Sequence, residues 1–161
     1  MLRAMRYASP LGLLTLTAGE SGICALVMDG QRYEREHLRA PYLEDDCELL
    51  RQARYWLDEY FAGKNPKIDF PLTPEGTAFQ KRVWRELTRI PYGSALSYGE
   101  LAARLNSSAR AVGAAVGRNP ISILIPCHRV LGKDGRLTGY AGGLERKAAL
   151  LRLEGAVFRD E

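Results

Sequence analysis

The chain has 161 residues, 46% of them hydrophobic and 26% charged, with a formal net charge of +4. That balance belongs to a folded globular chain and excludes a disordered one. No apolar run approaches the roughly 20 residues of a membrane helix, and the length suits one ordinary domain or two small ones.

Arg3 and Arg6 ahead of the apolar residues 11–16 imitate the start of a secretory signal. The run is short, is followed by Thr17, Gly19 and Glu20, and lacks a small-residue cleavage site, so it reads as a strand and the protein as cytoplasmic. Residues 11–17 and 23–29 are two β-like runs with a glycine-containing turn between them and Asp29-Gly30 after. A helix is expected over about 46–62, where Leu49, Leu50, Ala53, Trp56, Leu57, Tyr60 and Phe61 recur at helical spacing and Gly63 supplies the stop. Residues 64–74, with Pro66, Pro71 and Pro74, cannot continue a helix and read as a linker. The expected division is therefore 1–73, a small sheet-plus-helix domain, and 74–161, a mainly helical one: an α+β chain.

In the second half Thr77 can cap a helix that buries Phe79, Val83, Trp84 and Leu87 and ends before Pro91. Ser97-Tyr98-Gly99-Glu100 is a capping-box pattern opening a helix through Leu105. After the turn Asn106-Ser107-Ser108, Ser108 can cap a further helix over 109–117, and the pair fits a helix-turn-helix. This second helix, Arg110-Ala111-Val112-Gly113-Ala114-Ala115-Val116-Gly117, is nearly all small residues, although each glycine costs about 1 kcal/mol relative to alanine. Two readings stand: close packing on another helix, or a smooth surface whose backbone approaches a nucleic-acid groove.

Charge divides unevenly. Residues 1–73 hold nine Lys and Arg against eleven Asp and Glu, and residues 74–161 hold fourteen against eight. The basic excess thus lies in the second half, where a polyanion would bind, although ordinary solubility charge explains it equally. Cys24, Cys47 and Cys127 are an odd count without close spacing, which argues against a disulfide framework. With only His37 and His128 and no Cys-x-x-Cys, zinc is not expected either.

Cys24 and Cys47 read as inert small hydrophobes. Cys127 differs, because His128, a base candidate, adjoins it and the apolar run Ile121-Ser122-Ile123-Leu124-Ile125 leads into it. A neighbouring imidazole can activate a thiol. In an extended chain the two side chains would face opposite sides and communicate through a water or a bend at Pro126. Cysteine and histidine alone leave a cysteine hydrolase equally open.

The segment Asn119-Pro120-Ile121-Ser122-Ile123-Leu124-Ile125-Pro126-Cys127-His128-Arg129-Val130 resembles the active-site signature of the O6-alkylguanine-DNA alkyltransferases, also called methylated-DNA–protein-cysteine methyltransferases. The likeness continues through Gly139-Tyr140-Ala141-Gly142-Gly143-Leu144 and Leu150-Leu151-Arg152-Leu153-Glu154-Gly155, and covers the second half from near Phe79. The first half is similar to the family's N-terminal domain in size and in Tyr7-Ala8-Ser9-Pro10-Leu11-Gly12.

The resemblance implies that Cys127 accepts an alkyl group from O6-alkylguanine in double-stranded DNA, once per molecule and without a cofactor. It makes His128 the base acting through a water, Glu154 its orienting partner, Asn119 a brace for the active-site turn, and Tyr98 a donor to the departing guanine. It assigns the small-residue helix to the minor groove, through Arg110, Ala111, Gly113, Ala114 and Arg118, with Arg110 filling the stack left by the flipped base. Val116, the Val130 backbone, Tyr140 and Ala141 would line the pocket, and Arg129 and Lys147 would contact phosphate or brace a loop.

Three departures stand out. The stretch between Tyr98 and Arg110 is about two residues short of many members, and Ala141 replaces a serine found in some. Only Cys24, Cys47 and His37 could serve the zinc site some members carry, so no metal is expected. A monomer is expected, since a single-site lesion asks for no symmetric partner. Among rivals, alkyltransferase-like binding proteins lack the acceptor cysteine, and an alkylation-sensing regulator would need a cysteine cluster in the first half. A hydrolase would turn over repeatedly.

Overall fold

The computed structural model describes residues 1–38 and 41–160, which form two compact units. The first comprises Met1–Glu75 together with Pro120–Leu124. Its strands β1 (Leu2–Ser9), β2 (Gly12–Ala18), β3 (Ile23–Met28) and β4 (Tyr42–Glu44) form one sheet in the order β3-β2-β1-β4. β1 and β2 are an antiparallel hairpin in register from Arg3↔Ala18 to Ser9↔Gly12, β3 continues antiparallel on β2, and β4 lies parallel to β1. A single turn, α1 (Glu34–His37), precedes β4.

β1 is not anticipated by pattern. Ala4 is its one fully buried residue, and Arg3 and Arg6, which imitate a signal in the sequence, are exposed and paired with Asp45 and Glu44 at 3.2 and 2.9 Å. β2 and β3 supply the core with Leu14, Leu16, Ile23, Leu26 and Met28. Helix α2 (Glu48–Phe61) covers them with Leu50, Ala53, Trp56, Leu57 and Tyr60, one stripe at helical spacing. Each large side chain so buried contributes about 1.5–3 kcal/mol. Gly63, at φ +87°, ends α2 by donating its N–H to Tyr60 O while Lys64 N–H bonds Glu59 O, a left-handed cap that suits glycine.

Two sequence expectations need correction here. Residues 64–74 are helix-free but are no free linker: Ile23 N–H donates to Pro71 O, Thr73 N–H donates to Ile23 O, and Phe70 is buried. The prolines lack an N–H, yet their carbonyls and neighbours complete an edge bridge along β3. The sequence division at 73/74 also misplaces Pro120–Leu124, which belong to the first unit. There Leu26 N–H donates to Pro120 O and Ser122 N–H to Leu26 O, a second bridge on β3.

The second unit comprises Gly76–Asn119 and Ile125–Glu161. Helix α3 (Ala78–Leu87) buries Val83, Trp84 and Leu87, and Thr77 caps it in a reciprocal box with Gln80. Ser97 and Glu100 form the second capping box, opening α4 (Tyr98–Arg104), and Ser108 caps α5 (Ala109–Gly117) through Ala111 N–H. The Trp84 indole N–H donates to Ala115 O at 2.8 Å, locking α3 to α5. A short parallel pair, β5 (Leu96–Ser97) with β6 (Val130–Leu131), and helix α6 (Leu144–Leu153) complete the unit.

Candidate active site

The chain re-enters the second unit at Ile125 and turns sharply. Pro126, at φ −79° and ψ 66°, centres an inverse γ-turn closed by Cys127 N–H to Ile125 O at 2.7 Å. Cys127–Arg129 then form one 3-10 turn. This corrects the extended reading: three residues per turn fan successive side chains about 120° apart. Asn119 ties the turn at its base, its Nδ2 donating to Ile125 O at 2.8 Å while its side chain also hydrogen-bonds the Cys127 thiol.

Around this turn the second unit gathers buried polar groups. Cys127 is 5% exposed and His128 0%. His128 Nε2 meets Glu154 Oε2 at 2.7 Å, with both side chains fully buried. Glu154 is delivered by the C-terminal end of α6, as its cap residue. His128 Nδ1 has no hydrogen-bond partner among the described residues. Lys147, on the inner face of α6, is 0% exposed, and its Nζ donates to Thr138 O at 2.6 Å and Gly139 O at 3.0 Å. Nζ also stands 5.8 Å from the centroid of the Tyr98 ring. That ring spans from α5, where a Cβ on Gly113 would lie 3.7 Å from Cδ1, to Gly139, where a Cβ would lie 3.8 Å from Oη.

Burial dominates the proton affinities. It pushes the Cys127 thiol up, against opposing help from Asn119, Lys147 and the Tyr140 hydroxyl. It pulls His128 below the ordinary histidine value, against the Glu154 carboxylate. It pulls Lys147 down to about 8, with Cys127 opposing, and pushes Tyr98 up to about 12, with Cys127 adding. The resting site thus holds a neutral thiol beside a neutral imidazole and a protonated phenol. A neutral imidazole with a free nitrogen is a base, and a phenol is a donor for a departing anion.

The five sequence-predicted catalytic residues therefore lie in one unit, with Asn119 on the thiol and Glu154 on the imidazole. Tyr140 and Ala141 are half-buried, and Val116 and Val130 are buried at 5% and 0%. Val130 is held through its backbone in β6 opposite Leu96. On α5, Arg110, Ala111 and Ala114 are exposed and Gly113 is half-buried, with Arg118 exposed just beyond.

Tight helix packing does not explain these glycines: a Cβ on Gly113 would meet Tyr98 at ordinary contact distance, and one on Gly117 would meet nothing within 4 Å. Of the two readings for Lys147, the structure places it on the loop: fully buried, its Nζ braces Thr138 O and Gly139 O. Sequence reasoning missed what Arg129 does, a guanidinium wholly engaged with Glu154 and Ile90. Its place directly after His128, in a turn that fans side chains, was the available signal. Among the described residues no three of His, Cys, Asp and Glu come together as a metal site, and no helix is long and apolar enough to cross a membrane.

The helical unit's buried Cys-His-Glu constellation defines a protein of cysteine-centred nucleophilic chemistry. Residues 78–156 match the 6-O-methylguanine DNA methyltransferase DNA-binding domain and residues 2–74 match its ribonuclease-like domain. The methylated-DNA–protein-cysteine methyltransferase of Methanosarcina acetivorans is 44% identical over 153 residues, covering 93% of this chain and 96% of its own. That of Mycolicibacterium paratuberculosis is 47% identical over 156 residues, covering 96% and 93%. The crystal structure of Mycobacterium tuberculosis OGT in complex with DNA superposes with a TM-score of 0.85 at 44% identity, covering 95% of this chain and 92% of that one. This chain belongs to the 6-O-methylguanine DNA methyltransferase family.

Proposed function

We propose that this chain repairs alkylated DNA by moving the alkyl group from O6 of guanine to Cys127 Sγ, irreversibly and once per molecule. The observation that carries this reading is the buried Cys127 thiol beside a buried, neutral His128 whose Nδ1 is unpartnered and whose Nε2 is fixed on Glu154. A soft sulfur suits attack at an alkyl carbon. The thiol proton passes through one water to His128 Nδ1, the S–C bond forms as the C–O6 bond breaks, and guanine departs with the electron pair. Tyr98 Oη donates to the leaving base, and the Lys147-braced loop at 138–139 backs the pocket wall. The product thioether is not cleaved by water, so no second cycle follows.

The exposed, small-residue face of α5 supports a minor-groove helix-turn-helix made with α4, acting on double-stranded DNA with the lesion flipped out. The protein acts as a monomer, in the cytoplasm, on the nucleoid. A duplex carrying O6-methylguanine labelled in the methyl group tests the assignment. Tryptic cleavage after Arg118 and Arg129 isolates Cys127 from Cys24 and Cys47. The label is expected on that peptide at no more than one equivalent; label elsewhere, or repeated turnover, overturns it.

The spent protein is expected to be less stable than the fresh one. The alkyl group stays on Cys127, a residue only 5% exposed, and overpacking a dense site costs about 1–3 kcal/mol. For a chain of this length that lowers the midpoint by roughly 2–4 °C per kcal/mol, with benzyl costing more than methyl. Calorimetry on untreated, methylated and benzylated protein checks it; identical melting in all three shows an adduct absorbed without strain.

A further inference from the structure

The carboxylate of Glu154 does not serve His128 alone. Arg129 grips it from the other side, Nε donating to Oε1 at 2.8 Å and a terminal nitrogen donating to Oε2 at 3.0 Å. The remaining terminal nitrogen donates to Ile90 O at 2.7 Å, and the guanidinium lies 5.8 Å from the centroid of the Tyr92 ring. Gly93 N–H faces Oε1 from 3.5 Å. The Glu154 side chain is 0% exposed and that of Arg129 12%.

A buried carboxylate without a compensating cation takes up a proton or draws one onto its neighbour. Either outcome harms a base at His128. A protonated Glu154 would donate to Nε2 and drive the ring proton to Nδ1; a carboxylate left without the guanidinium would hold the imidazole doubly protonated. In both, Nδ1 carries a hydrogen and cannot accept one. A bidentate guanidinium prevents both, because it cannot lose its proton and presents two donors in the plane of the carboxylate.

We propose that Arg129 is a positioning residue for alkyl transfer: by clamping Glu154 as a carboxylate it fixes the hydrogen of His128 on Nε2 and keeps Nδ1 free to accept the thiol proton. The charged groups acting on His128 are Glu154, Arg129 and Lys147, with Tyr92 beyond the guanidinium. Burial and both cations disfavour the imidazolium, and Glu154 favours it. The Arg129 charge opposes that one favourable influence. The inference rests on the role given to His128 above.

The chain has two histidines, so 15N NMR of the imidazoles, with His37→Gln for assignment, reads Nδ1 directly and without any transfer reaction. In the unsubstituted protein at pH 7, Nδ1 is expected to be unprotonated with hydrogen on Nε2. In Arg129→Met, Nδ1 becomes protonated at pH 7. The acid limb of transfer to a free alkylguanine then moves to higher pH, with roughly a tenfold loss at neutral pH for each unit of movement. Arg129→Lys keeps the charge and holds the limb near its original position.

A protonated Nδ1 in the parent protein at pH 7 overturns the proposal, as does an Arg129→Met protein with Nδ1 unprotonated and an unmoved pH profile. Should Arg129→Met not fold, Arg129→Met combined with Glu154→Gln cancels the buried charge imbalance and is expected to fold again. Failure of that pair to fold reduces Arg129 to a brace on Ile90. Should Cys127 not be the acceptor, the methyl-labelling experiment reports it separately, because the imidazole spectrum does not depend on which residue is alkylated.

Discussion

Cys127→Ser is expected to lower transfer from an O6-methylguanine duplex by roughly 10⁶-fold, the scale on which removal of a covalent nucleophile acts, while duplex affinity stays close to that of the parent. The chemistry loses on two counts. A hydroxyl is a far weaker acid than a thiol, and the base meant to take its proton, His128, is itself weakened by burial. Oxygen is also the less polarizable nucleophile at a saturated carbon. The fold loses little: Asn119, which bonds the thiol, can bond a hydroxyl, and one atom changes at a position 5% exposed. Affinity is spared because position 127 is buried, whereas the α5 face carrying Arg110, Ala111 and Ala114 is exposed. Single-turnover quench kinetics and equilibrium duplex binding measure the two quantities. Transfer at the parent rate would remove Cys127 from the mechanism, and a matching loss of affinity would place it in the DNA-binding surface.

Local signals carried most of the second unit. Thr77, Ser97 and Ser108 each sit where their side-chain oxygen satisfies an N-terminal N–H, and all three helices start where those residues say. α2 was equally open to reading, since Leu50, Ala53, Trp56, Leu57 and Tyr60 form an uninterrupted inner stripe. β1 was not, because its buried residue is a small alanine and its most conspicuous side chains are arginines directed to solvent. α6 escaped periodicity for a related reason: the inner face that buries Ala148, Leu150 and Leu151 also buries Lys147, and a lysine in a stripe reads as a break.

The site divided along the same line. Cys127 and His128 were visible as neighbours, but their companions became meaningful only through family likeness, because nothing local says that a glutamate twenty-six residues on will meet His128. Arg129 shows the limit most clearly. Three of its nitrogens are used, on a carboxylate and a carbonyl contributed by distant segments, and no spacing in the sequence announces either. The docking of Pro120–Leu124 on β3 is likewise a tertiary fact, made by two backbone hydrogen bonds to Leu26.

Arg110→Ala is expected to slow repair in a duplex by roughly 10- to 100-fold while leaving reaction with a free alkylguanine base nearly untouched. Extruding a base from the stack costs a few kcal/mol, and a side chain that fills the vacancy recovers part of that; about 1.4–2.8 kcal/mol lost corresponds to the stated range. Arg110 is placed for this work. It stands in the first turn of α5, one residue beyond Ala109, exposed and next to a face of alanine and half-buried glycine that adds no bulk between backbone and groove. The cap that positions this turn, Ser108 to Ala111 N–H at 3.1 Å, does not involve the arginine, so the substitution leaves helix and pocket intact. A free base has no stack to leave, and its reaction reports the pocket alone. Salt separates a second contribution, since lost phosphate contacts lower duplex affinity linearly in log salt. Arg110→Ala should reduce that slope by at most about one charge, far less than its effect on repair. Equal slowing on duplex and free base would move Arg110 from the helix surface into the pocket or the fold. A loss confined to the salt slope would make it one phosphate contact among several.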